Sequence, residues 1–195
     1  MTKIPASRGV SLLLLALLLY RCGGPETTNL APDATKKTLE NLPEWFLQPP
    51  INEEHLSAAA SATSRDMQVA ILKARNTAQA DLAQQLETRM ANLTRQFQEE
   101  TGLGEDSELL TQFSSATKAV TNQTLNGVRT ARDKLLSEKG IYRAYVLMEL
   151  PLGKANQLLM DKIQSNQHLY TRFRATQAFE ELDKELQSFA KQEER

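Results

Sequence analysis

The sequence predicts an α+β fold in which helices pack on one face of a small antiparallel sheet and a long helix closes the chain. Three observations carry this. Apolar residues recur at spacings of three and four across residues 64–101, the mark of an amphipathic helix. Two segments, 125–136 and 141–150, then flank a turn and change period. After Pro151 the helical spacing returns and runs to about residue 193.

A chain of 195 residues has room for one ordinary domain with a helical extension, and 41% apolar residues are enough to bury a core. Its 23 basic and 24 acidic residues nearly cancel, which removes the positive field that nucleic-acid binding needs. The single cysteine, Cys22, excludes a disulfide within the chain and any Cys-rich zinc or iron–sulfur site.

Residues 1–21 contain no acid and place Lys3 and Arg8 ahead of an apolar run, 10–20, which is the layout of a secretory signal. That run is about half of the ~20 residues a helix needs to cross a bilayer. Leu19-Tyr20-Arg21-Cys22 sets the cysteine where a bacterial lipobox has it, and the stretch resembles a lipoprotein signal in which Cys22 becomes the lipidated first residue of the mature chain. The pattern departs from that family in carrying Tyr20 and Arg21 where small residues are usual. Loss of residues 1–21 would remove three basic groups and no acid, leaving 20 basic against 24 acidic residues and a net charge of −4. Attachment to a membrane would then come from lipid and not from a polybasic patch. Residues 22–42, rich in Thr, Pro, Asn and Ala, read as a tether reaching roughly 25 Å in random-coil scaling.

The folded part begins near Pro43-Glu44-Trp45-Phe46, and Pro49-Pro50 prevents any helix there from continuing. Thr63 and Asp66 suggest a capping box, and Ala70, Ala74, Ala78, Leu82, Leu86, Met90, Leu93 and Phe97 follow on one stripe. That helix should run roughly 35 residues and stop at Gly102 and Gly104. Its small-residue half should lie on strands and its bulky half should reach beyond them. A second helix over 107–120 presents Leu109, Leu110, Phe113, Ala116 and Val120. Ser137-Glu138-Lys139-Gly140 then turns a hairpin whose second strand shows Tyr142, Ala144, Val146, Met148 and Leu150 on one face and Arg143 and Glu149 on the other. The last segment, 152–193, carries Ala155, Leu159, Ile163, Tyr170, Phe173, Phe179, Leu182, Leu186 and Phe189. Self-association or docking within the chain would bury that stripe, and docking on its own core is the favoured outcome.

With these residues in view the chain resembles the LPP-twenty family of bacterial outer-membrane lipoproteins, whose domain is also found in flagellum-associated envelope proteins. The carriers span about residues 45–150: Pro43-Glu44-Trp45 with Pro49-Pro50, the small-residue run Leu56-Ser57-Ala58-Ala59-Ala60-Ser61-Ala62, Ala74-Arg75 with Leu82-Ala83, Leu125-Asn126-Gly127-Val128, and Tyr142 with Tyr145-Val146-Leu147. The resemblance implies an open sandwich in the order β-α-α-β-β-α, with a first strand that periodicity alone does not supply. By propensity an Ala run would instead extend the helix backwards. It divides the chain into a signal (1–21), a tether (22–42), an α+β domain (43–152) and a helical extension (153–195). For function it implies a lipid-anchored, non-enzymatic module at the outer membrane on the periplasmic side or cell surface. Envelope or flagellar proteins, or a second copy, would be its partners. A periplasmic small-ligand or cell-wall-binding module with a helix–sheet pocket is the alternative.

Chemistry is not indicated. His55 beside Glu53 and Glu54 reads as a solvated turn, because adjacent residues do not converge on one ion, and His168 lies over a hundred positions away. No Gly-x-Ser-x-Gly occurs, and Gly102-Leu103-Gly104 follows a helix, so it is a stop and not a phosphate cradle. Glu99-Glu100 and Glu180-Glu181 read as solvated helix faces. No catalytic residue, metal or cofactor is expected. Trp45, Phe46, Tyr142 and Tyr145, and the stripe Phe179, Leu182, Leu186 and Phe189, are the candidate partner-binding residues, each with packing within the chain as the competing reading.

Overall fold

The structure, a computed structural model, describes residues 39–52, 54–104 and 107–193, with side chains to 191. The expected signal, Cys22 and most of the tether lie outside the described residues. One compact unit spans Leu42–Arg195. A one-turn helix, α1 (Glu44–Leu47), precedes the strand β1 (His55–Ser64) and the helices α2 (Met67–Thr101) and α3 (Glu108–Thr124). A 3-10 turn at Leu125–Gly127 leads to the hairpin β2 (Arg129–Glu138) and β3 (Ile141–Pro151), then to α4 (Leu152–Gln164), α5 (Gln167–Phe173) and α6 (Gln177–Glu193). This is the α+β architecture expected.

The sheet is antiparallel in the order β1-β3-β2, so β3 is central. Lys139 and Gly140, with φ of 49° and 77°, make the two-residue hairpin turn; both left-handed positions match strand twist, and Gly140 occupies one without a Cβ penalty. The Ala run does form a strand. Pairing of Ala58 with Met148 and Ala60 with Val146 supplies the ladder that its own propensity does not.

At 1.5 Å per residue α2 is about 52 Å long, against about 33 Å for a ten-residue strand, so it overshoots the sheet. Its Ala70, Ala74 and Ala78 join Ala58, Ala60, Ala144 and Val146 in a thin buried layer on β1 and β3. Its distal half carries Met90 and Phe97 into a helical core. There Phe97 stacks on Phe113 at 4.4 Å, and Phe173 meets them at 5.9 and 5.2 Å. The division of α2 into a small-residue half on strands and a bulky half beyond them is therefore observed.

Several boundaries differ from expectation. The cap of α2 is Asp66, whose carboxylate accepts from the Val69 N–H at 3.0 Å, while Thr63 still belongs to β1. Helix α3 continues to Thr124, and β2 starts only at Arg129 because Leu125–Gly127 is a 3-10 turn. A long helix closes the chain, but the stripe after Pro151 is divided into three. Asn166 caps α5 by accepting from the Leu169 N–H, and the Thr176 hydroxyl accepts from the Phe179 N–H, so each break carries its own helix start. Breaking the stripe lets α4, α5 and α6 fold back around the distal half of α2.

Candidate functional site

The two faces of the sheet are covered by different things. The even-numbered residues of β3 face α2; the odd-numbered ones face α1. Tyr145 and Leu147 on the second face are each 1% exposed, more deeply covered than the partly wet face the sequence suggests. Pro49-Pro50 ends α1 after one turn, and Pro43 starts it, which fixes Trp45 and Phe46 over the sheet. Phe46 meets Tyr145 edge-on at 5.0 Å, and Trp45 meets Phe46 edge-on at 6.5 Å. Trp45, Phe46 and Tyr145 thus form one cluster, whereas Tyr142 lies on the opposite face among the core residues. Trp45 and Phe46 remain part-exposed, which leaves an aromatic surface next to the fold's N-terminal entry.

Burial pushes the Tyr145 phenol above its ordinary value of 10.0, with the Arg143 charge opposing it. Its hydroxyl has no hydrogen-bond partner among the described residues, and neither does the buried Oγ of Ser57 on the same face. Each buried polar atom without a partner on this face calls for a physical explanation. A groove of about 810 Å³ runs beside Ser57, lined by Pro49, Pro50, Ile51, His55, Leu56 and Gln85 among others.

The C-terminal stripe docks within the chain. Leu182 is buried, Phe179 and Leu186 pack against the core, and the Phe189 ring lies against Gly153, where a Cβ would collide with it. Two polar anchors hold α6 there. Arg89 on α2 donates to both carboxylate oxygens of Glu185, which also accepts from Asn156 at 2.6 Å. Glu100, read from sequence as a solvated acid, instead accepts from the Gln177 N–H at 2.7 Å at the start of α6. The signal for it is a carboxylate 77 residues from the helix start it completes, which no local pattern reveals. A cleft of about 610 Å³ opens between α4, α6 and the segment before β1, lined by Ile51, Asn52, Gly153, Asn156, Glu181, Glu185 and Phe189 among others.

His55 joins a surface network, with Nε2 3.5 Å from Arg129 Nη2, which also bonds Glu149 at 3.4 Å. His168 is exposed on α5. Among the described residues no group of three or more His, Cys, Asp or Glu converges as a metal site needs, and no helix is long and apolar enough to cross a membrane. The fold and surface define an α+β domain with an aromatic-capped sheet and a helical buttress. No family model matches the chain, and no curated protein matches it either.

Proposed function

We propose that this chain is a lipid-anchored cell-envelope protein whose domain acts, without catalysis, as a protein-interaction module on the periplasmic side of the outer membrane or at the cell surface. The observation that carries the reading is the N-terminal order of Lys3 and Arg8, an apolar run of about 11 residues, and then Cys22. The domain geometry is compatible with it. The part-exposed Trp45 and Phe46, close in sequence to the start of the fold at Pro43, are the surface this reading offers to a partner. Envelope proteins are the partners this reading implies, and support of a flagellar base is its narrower form. Cell fractionation of the host tests it: the wild-type chain should sediment with membranes and the Cys22→Ser variant should be released. Equal partition of the two would remove the anchor from the account, and unchanged motility in a deletion strain would remove the flagellar form.

The cleft beneath Phe189 favours a second reading, a small-ligand or cell-wall-binding module. Asn156, 2% exposed, puts an amide at its floor, and Glu181 and Glu185 line its wall. A cell-wall fragment or other small molecule retained in native mass spectrometry would support that reading, and an empty protein would count against it.

A further inference from the structure

The two edges of the sheet are built differently. β2, at one edge, carries Arg129, Arg132, Asp133, Lys134 and Glu138 and is interrupted by a bulge between Thr130 and Arg132. Charges and bulges are the devices that stop a strand from pairing onward. β1, at the other edge, spans ten residues with no Asp, Glu, Lys, Arg or Pro, and it pairs with β3 in unbroken register. One edge is protected, and the other is open beyond His55, where Asn52 makes a single antiparallel bridge.

The outward-pointing backbone groups of β1 can be assigned. The Glu54 carbonyl accepts from the Leu152 N–H, on the β3 side, so the even-numbered residues turn their backbone groups inward. Ser57 is out of phase with them, and its carbonyl accepts from Gln85 of α2 at the free edge at 3.2 Å. Ala59, Ser61 and Thr63 share that outward phase, and no strand pairs with them among the described residues.

We propose that β1 is the interface of a homodimer, in which two copies pair antiparallel through this edge about a two-fold axis at Ala59. The sequence Ser57-Ala58-Ala59-Ala60-Ser61 reads the same in both directions, so the axis sets Ser57 opposite the other copy's Ser61 and Ala59 opposite itself. Residues 57–61 would form up to about six hydrogen bonds between chains, because the His55 N–H is already given to the Asn52 carbonyl at 3.4 Å. Ser57 Oγ, buried without a partner, would face a hydroxyl across the pair, at the roughly 5.5 Å Cα separation of a hydrogen-bonded antiparallel pair. Gln85, which now satisfies the Ser57 carbonyl, would yield it to the incoming strand.

Three further features fit a second copy. The groove of about 810 Å³ beside Ser57 leaves room for the incoming Ser61. Because α2 rests on both β1 and β3, the two α2 helices would lie about two strand spacings apart, about 10 Å, which is a helix-packing distance. The side of α2 that overhangs β1, one turn on either side of Gln85, carries Asp81 and Thr88, so nothing apolar is stranded there. The pairing is isologous and uses up both open edges. The outer strands of the six-stranded sheet are then the charged β2 strands, and assembly stops at two.

The inference does not depend on the lipid anchor, and its test is made on the full-length Cys22→Ser chain purified in detergent. Light scattering after gel filtration should give twice the 21.8 kDa chain mass. Under mild oxidation Ala59→Cys should cross-link to itself in more than half of the molecules. Thr63→Cys should cross-link at least tenfold less alone, whereas Ser57→Cys should cross-link when mixed with Ser61→Cys. Ser61→Pro, which removes one outward N–H, should halve the mass while far-ultraviolet circular dichroism confirms that the domain is folded; if that variant unfolds, the cross-linking pattern decides. A monomeric Ala59→Cys variant whose thiol stays free would overturn the proposal. So would a dimer in which the Ala59→Cys and Thr63→Cys variants cross-link alike, or one assembled through the chain's N-terminal segment or another protein at this edge.

Discussion

Replacing Phe97 with Ala tests whether the sheet and the helical core are one cooperative unit. Phe97 is 0% exposed, stacks on Phe113 at 4.4 Å and meets Phe173 at 5.9 Å, so the variant removes the ring that joins α2, α3 and α5. Phe-to-Ala changes in a core cost about 3–5 kcal/mol, and loss of a ring pair puts this site toward the upper end. With a urea slope of about 1–3 kcal/mol/M, the midpoint should fall by about 2 M. Two probes separate the halves of the molecule: circular dichroism reports chiefly on the helices, and Trp45 fluorescence reports on the aromatic cap of the sheet. Because α2 is a single uninterrupted helix through both cores, both transitions should move down together. A midpoint shift below about 0.5 M, or a Trp45 transition that stays in place while helicity melts early, would refute the coupling.

Asp66→Ala should cost about 1 kcal/mol, read as a lowered melting temperature, by removing the side-chain acceptor at the start of α2. Glu100→Ala should cost about 1 kcal/mol and loosen the start of α6, seen as faster amide exchange at Gln177 and Ala178, the two N–H groups it accepts from. Tyr145→Phe should be neutral or stabilising at pH 7, because the hydroxyl it removes has no partner among the described residues. Burial raises the folded phenol's pKa above 10.0 and Arg143 opposes the shift, so phenolate forms more readily in the unfolded chain. The stability tied to the neutral phenol is thus complete below about pH 10 and is lost as pH rises through the folded value. Melting curves from pH 8 upward should show a steeper alkaline decline for wild type than for Tyr145→Phe.

Much of this fold is legible because side-chain size and periodicity act locally. The stripe from Ala70 to Phe97 announces a helix of the observed length and the change from a thin layer to a bulky core. The alternation from Tyr142 to Leu150 gives the central strand and the face it turns to α2. What was hidden depends on partners distant in sequence. β1 owes its strand to β3 and not to its Ala run. The breaks at Asn166 and Thr176 interrupt a stripe that keeps its spacing, because an Asn or Thr reads as a cap only when the chain has turned to need one. Of the aromatic candidates, Trp45, Phe46 and Tyr145 converge, and Tyr142 separates from them because odd and even positions of β3 face opposite ways. Glu100 escaped for a similar reason. Its role is set by where α6 begins, and a pair of acids on a helix gives no hint of that.

The central claim is that Cys22 anchors this domain to a membrane, and the most direct measurement is the intact mass and N-terminal peptide of the chain extracted from host membranes. The account predicts a mature chain that starts at Cys22 and carries added acyl mass. A chain that retains residues 1–21, or one whose Cys22 is unmodified, would contradict it.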